Sequence, residues 1–297
     1  MPTQYENLTS DDVVTTRTVL HESIPLTGTI VSGTYADNNI KNYTHGQFQS
    51  VYDYPYLSSS ANHIFDITVG YPATSGLSGS ASTQNAKKIN MYNQMAQVML
   101  GYNSASQGEI EKFESDLTLN NDKIMSEVFF VNFARLLTKD QIKKGTFSLT
   151  VGTGSWATPF SHTKTLTDAS ASATGGTGTS IGGDYGVLYS GSSPVGQGAC
   201  GLVFYQAGIA VLTASVWNGV SEFNSGSAFN YNPAQSFVTA SITGSCDALR
   251  HRVKNLTFNN TTEINSTIYF CRVPANKFNY STNPTYVSDG ACVVKNV

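Results

Sequence analysis

The chain has 297 residues, enough for one large domain or two closely packed subdomains with a sizeable core. Only 12% of them are Asp, Glu, Lys or Arg, about half the ~25% usual in soluble proteins, so the surface is largely neutral and polar. A net charge of -3 with no run of like charges supplies no field to gather phosphates or anionic lipid, which argues against nucleic-acid and membrane-surface partners.

The opening residues Met1-Pro2-Thr3-Gln4-Tyr5-Glu6 lack the basic start and apolar run of a signal peptide. No stretch approaches the ~18 apolar residues that span a bilayer, so the expectation is a protein made and used in the cytosol. Asp11 to Gly33 mixes β-branched residues with turn formers and reads as an extended arm with short strands. Gly46 to Tyr56 crowds Phe48, Tyr52, Tyr54 and Tyr56 together, more aromatic surface than a linker carries. It belongs either to the core or to a contact with a neighbouring subunit, where Tyr is enriched. If the segment is extended, Tyr52, Tyr54 and Tyr56 share one face, and Pro55 cannot donate to a ladder, which predicts an edge or arm. His63 to Val69 alternates as a strand with one buried face.

Lys87 to Leu100 is the clearest helix, with Ile89, Tyr92, Ala96, Met99 and Leu100 on one stripe and Gly101 as a stop. Gly108 to Phe113 is expected to add a helical turn. Val128 to Phe133 is apolar on nearly every side and fits helix or strand; β-branched and aromatic residues favour a buried strand. A tight charged connection, Thr138 to Gly145, leads to a strand over Thr146 to Val151. Asp168 to Gly183 is nearly all Ala, Ser, Thr and Gly and predicts a mobile surface loop. Gly186 to Tyr189 reads as a short strand, and Gly201 to Tyr205 with Ile209 to Thr213 reads as a hairpin around a Gly-bearing break. Phe237 to Ile242 and Ile264 to Val273 are the last expected strands.

The usual chemistry-bearing patterns fail one by one. Gly178-Thr179-Ser180-Ile181-Gly182 spells a nucleophile elbow, which needs a strand before it and a helix after it; Ala/Ser/Thr/Gly filler and a further glycine flank it instead. His63 and Asp66 point to opposite faces of the expected strand and cannot share a ligand. His21 and Glu22, neighbours on an extended segment, also face apart. Cys200, Cys246, Cys271 and Cys292 lie far apart with no short paired spacing for zinc, and free thiols are expected. No catalytic, metal-binding or cofactor-binding residue is therefore assigned.

Three blocks carry a resemblance. They are Val128-Phe129-Phe130-Val131-Asn132-Phe133-Ala134-Arg135-Leu136-Leu137-Thr138-Lys139-Asp140-Gln141-Ile142-Lys143-Lys144-Gly145-Thr146-Phe147, then Gly201 to Thr213, then Phe278-Asn279-Tyr280-Ser281-Thr282-Asn283-Pro284-Thr285-Tyr286. In this order they resemble virion structural proteins of tailed bacteriophages, in particular contractile-tailed phages related to the T4-like group. Similar proteins often continue beyond the Asn-Pro block into a β segment ending in Gly-Leu-Tyr, which this sequence lacks. The resemblance implies a particle component of the tail, baseplate or neck, assembled in the cytoplasm of the bacterial host. Its partners would be other phage structural proteins and copies of itself, with no nucleic acid, membrane, small-molecule substrate or cofactor.

The expected fold is β-rich α+β: mixed or antiparallel sheets, a short helical stretch near 87–115 and an extended N-terminal arm. Along the chain this gives an arm with strands over 1–75, a helical region over 76–120 and a β-rich body over 121–297 containing the flexible loop 168–183, all in one compact unit. The expected subunit contact is Tyr52, Tyr54, Pro55 and Tyr56. A receptor- or carbohydrate-binding module of a phage particle is the alternative, and a cell-wall hydrolase a remote one.

Overall fold

A computed structural model of the chain describes residues 7–25, 37–79, 83–103, 108–190, 198–220, 222–223, 241–271, 287–288 and 291–292. In chain order its strands are β1 (Val13–Pro25), β2 (Ile40–Asn42), β3 (Gln49–Tyr52), β4 (His63–Gly70), β5 (Val128–Phe133), β6 (Gln141–Ile142), β7 (Ser148–Gly152), β8 (Thr163–Thr167), β9 (Thr177–Ser180), β10 (Gly183–Ser190), β11 (Ala199–Phe204), β12 (Ile209–Thr213), β13 (Val253–Tyr269), β14 (Val287–Ser288) and β15 (Ala291–Cys292). The helices are α1 (Thr83–Met99), α2 (Arg135–Thr138) and α3 (Ile242–Arg250). Thirteen strands form one sheet in the order β1-β13-β7-β8-β10-β11-β12-β5-β4-β3-β2, with β6 on β13 and β9 on β10. The fold is β-rich with few helices, as the succession of expected strands implied. Among the described residues no helix is long and apolar enough to cross a membrane.

Contacts within the chain group it into two units, Met1–Leu20 with Glu263–Val297, and His21–Thr262. The second holds the core. Because strand side chains alternate between faces, β5 feeds Phe129, Val131 and Phe133 into one apolar layer and Val128 and Phe130 into another. β12 divides in the same way, with Ala210 and Leu212 on one side and Ile209 and Val211 on the other. This two-sided burial explains a run apolar at nearly every position, the pattern of a central strand covered on both faces. α3 covers the first layer with Ile242, Cys246 and Leu249; α1 covers the second with Tyr92, Ala96 and Met99. The β11–β12 hairpin turns over Tyr205 to Gly208, where Gly208 takes φ +69°, a left-handed conformation that glycine adopts without strain.

Several expectations change. α1 begins at Thr83 and ends where Gly101, at φ +84°, sends its N–H back to the Ala96 carbonyl. Over Gly108 to Phe113 no helical turn forms; Ile110 instead makes an isolated antiparallel bridge with Tyr102. The strands on either side of Thr138 to Gly145, read from the sequence as one strand-turn-strand unit, are not neighbours: β5 lies between β4 and β12, and β7 between β8 and β13. Ile242 opens α3 rather than ending a strand, because the Ser241 hydroxyl accepts the Gly244 N–H at 3.0 Å and caps a helix there. Residues 237–240 and the block 278–286 lie outside the described residues.

The stretch 168–183 is built into the sheet. It holds a single 3-10 turn at Ala169–Ser172, with Ala171 in the core, and then β9, which pairs with β10. Asp168 anchors it. Its buried carboxylate accepts the Gly145 N–H at 2.8 Å, the Phe147 N–H at 2.9 Å and the Tyr205 hydroxyl at 3.0 Å. Burial raises the Asp168 pKa, and these three donors oppose the rise.

Candidate functional site

The expected contact segment is placed by β3 and β4. β3 pairs with β2 on one side and β4 on the other, so it is an interior strand, and β2 is the edge. The strand stops at Tyr52 because the next residue starts a clasp. Asp53 accepts the Asn62 backbone N–H at 2.6 Å and its side-chain amide at 2.8 Å, while the Asp53 N–H donates to the Asn62 carbonyl at 3.1 Å. Inside this closed loop Ser58 N–H donates to the Pro55 carbonyl at 2.7 Å, and Tyr56 N–H reaches the Asn38 carbonyl at 3.0 Å. Tyr52, Tyr54 and Tyr56 therefore do not alternate along an extended arm, and Pro55 sits in a turn rather than on a strand edge.

Local packing separates the three tyrosines. The Tyr52 ring lies between Tyr56, with centroids 6.3 Å apart, and His63, at 5.4 Å. Tyr54 is 52% exposed and Leu57, a residue with no part in the sequence expectation, is 85% exposed. The result is a pinned loop with an apolar tip made of Tyr54, Tyr56 and Leu57. Such a tip loses little further backbone freedom when covered, since Asp53 closes its loop on Asn62 and Tyr56 N–H is already bonded to Asn38.

Below the loop, His63 and Asp66 meet at 2.8 Å, contrary to the expectation that they face apart. The reason is a bulge: Val51 faces Phe65 but Tyr52 faces His63, leaving Ile64 as the extra residue. Ile64 and Phe65 then both enter the core, and the residues flanking them fall on the same side. Asp66 also accepts the Ser50 hydroxyl, which lies 3.1 Å from the Tyr43 hydroxyl. This network braces the strands that carry the tip.

Other polar groups have identifiable structural work. Ser180 of the elbow-like sequence donates its hydroxyl to the Met99 carbonyl at 2.7 Å, and Gly182 N–H donates to the same oxygen at 2.8 Å, so the motif caps the end of α1. His21 contacts the Thr261 hydroxyl at 3.2 Å. Glu114, Asp116 and Asp122 bring carboxylate oxygens within 4.8 Å of one another. Glu114 accepts the N–H groups of Asn120 and Asn121, and Asp116 pairs with Lys123 at 3.3 Å, contacts that organise the loop itself. Cys200, Cys246 and Cys271 are free thiols, the first two buried.

Comparison of the chain with protein families, characterised proteins and solved structures finds no match.

Proposed function

We propose that the chain is a structural subunit of a tailed-phage virion, in the tail, baseplate or neck, and that the tip formed by Tyr54, Tyr56 and Leu57 lies against an adjacent subunit. The exposed but braced apolar tip carries this reading. A monomer exposing it gains nothing, whereas an assembly uses it as an anchor in a neighbour's pocket. The low charge density supports the same reading, because neutral polar surface loses less hydration on permanent contact than Lys or Glu. Two of the three blocks that resemble phage structural proteins also lie side by side, with β12 of one paired to β5 of the other. The partners in this reading are copies of the chain and other phage structural proteins, and its place is the virion. A glycan-binding role draws on the same exposed tyrosines and is the alternative reading.

The test substitutes Tyr54→Ser and Tyr56→Ser together. Circular dichroism and melting of the isolated chain are expected to stay near wild type, while incorporation into particles falls at least about tenfold, as loss of two aromatic anchors implies. Mass spectrometry of purified particles should find the wild-type chain in many copies. Its absence from particles sinks the proposal, and glycan binding lost in the double variant with assembly intact selects the alternative.

A further inference from the structure

The unit built from Met1–Leu20 and Glu263–Val297 contains a feature unlike the rest of the described residues. Here β1 runs beside the end of β13, and the contacts between them fix direction and facing. Phe270 N–H donates to the Asp12 carbonyl at 2.7 Å, Arg17 pairs with Glu263, and farther along the same strands His21 meets Thr261. The partners run in opposite directions, so the pair is an antiparallel ribbon. Both side-chain contacts join odd-numbered residues. Odd positions of the two strands therefore share one face, and even positions share the other.

The two faces differ in charge. The odd face carries Arg17 and Glu263 between Val19 and Tyr269. The even face presents Val14, Leu20, Ile264, Ile268 and Phe270, each between 42% and 52% exposed, with Thr16, Thr18 and Ser266 between them. It holds no ionisable residue from Val14 to Leu20 or from Ile264 to Phe270. A two-stranded ribbon is marginal in water on its own, and an apolar face of this kind is a site for covering.

We infer that this face is where two copies of the chain meet, ribbon against ribbon, as a two-layered contact of four strands. The charge pattern selects the occupant. Across a twofold axis a face meets its own residues, so a charge near the axis would oppose its like; the even face has none between Val14 and Leu20 or between Ile264 and Phe270, its carboxylates Asp12 and Glu22 lying at the two ends, whereas the odd face carries Arg17 and Glu263. Val, Ile, Leu and Phe with interspersed Thr and Ser are complementary to themselves, and strands stacked about 10 Å apart interdigitate such side chains. This goes beyond the reading of the tyrosine tip and involves none of its residues, so either can fail alone.

Sedimentation of the purified full-length chain over a dilution series tests it, with two exposed neighbours substituted separately. Ser266→Lys puts a charge at the centre of the even face, and Thr267→Lys puts the same charge on the odd face. The wild type is expected to dimerise. Ser266→Lys should weaken the dimer at least about thirtyfold, with part of the loss recovered at high salt, because two like charges then face each other across the axis. Thr267→Lys and the Tyr54→Ser/Tyr56→Ser variant should stay within about threefold of wild type. Ile264→Thr/Ile268→Thr keeps β-branching in the strands and should weaken the dimer without added charge, with circular dichroism verifying the fold. A wild type that is monomeric throughout overturns the inference, as does a dimer that responds equally to Ser266→Lys and Thr267→Lys. A dimer lost only in the tyrosine variant moves the contact to the tip.

Discussion

Strand β13 is one continuous element with two environments. Between Val253 and Thr261 it buries Val253, Leu256, Phe258, Asn260 and Thr261, and it is paired with β7 and β6; from Ile264 to Tyr269 every side chain is exposed. β-branched residues keep the backbone extended in both halves, so local propensity does not decide which half is core. Neighbours decide it. The first half meets Phe133 and Phe147 around Phe258, with ring centroids at 5.3 Å and 6.4 Å, while the second half has β1 beside it and no described apolar layer over it. Extension and burial are thus separate properties of a strand.

Substitution along this strand is the most direct way to break that contrast. Phe258→Ala removes a ring buried among other rings and is expected to destabilise the chain by about 4 kcal/mol in urea unfolding. Asp168→Ala should cost about 3 kcal/mol, because the N–H groups of Gly145 and Phe147 and the Tyr205 hydroxyl all lose their buried acceptor. An unchanged unfolding midpoint would show, for Phe258→Ala, that the buried half of β13 does not depend on its ring contacts and, for Asp168→Ala, that the stretch Asp168 anchors does not depend on its three donors.

Protonation sharpens the contrast. Lys88, on the inward face of α1, is fully buried, and burial lowers its pKa to about 8. Its unfolded value is near 10.4, so below pH 8 both states are charged; between pH 8 and 10.4 the folded state gives up a proton that the unfolded state keeps. Stability therefore rises with pH across that window. Relative to Lys88→Met, the wild type should gain about 2 kcal/mol between pH 7 and pH 10. Equal pH profiles for the two would place the ammonium in water. The smallest effect belongs to the exposed half of β13: Ile268→Ala in the isolated monomer should change unfolding free energy by less than about 0.5 kcal/mol.

Elements whose signal is local were legible in the sequence. β5 and the β11–β12 hairpin follow from apolar runs, and β4 from alternation in its position though not in its burial, since Ile67, Thr68 and Val69 are buried in succession where one buried face was expected. α1 follows from a stripe of Tyr92, Ala96 and Met99, with Ile89 half-buried against the core and Asn85 and Lys88 extending the buried face. Elements that rest on distant partners were not. α3 contains Ile242, Thr243 and Gly244, poor helix formers, and is held by its cap and by burial against the sheet. The end of β3 depends on Asp53 finding Asn62 nine residues away, which spacing among tyrosines does not reveal. The contact of His63 with Asp66 requires a bulge that alternation conceals. Asp168 stands at the head of a stretch whose composition suggests filler, yet its partners come from two other parts of the chain. The apolar tip was half legible: the tyrosines were visible, but the loop that presents Tyr54 with Leu57 was not.

The cap on α1 also has a consequence for the order of events during synthesis. Ser180 and Gly182 serve the Met99 carbonyl from 81 and 83 positions downstream, so the helix leaves the ribosome well before its terminal acceptor can be satisfied by protein. Water must serve that oxygen in the interval. The final turn of α1 therefore frays until the β9–β10 turn has emerged and closed over it, and a ribosome stalled ahead of Gly182 should expose a protease-sensitive site near Met99 that the finished chain protects.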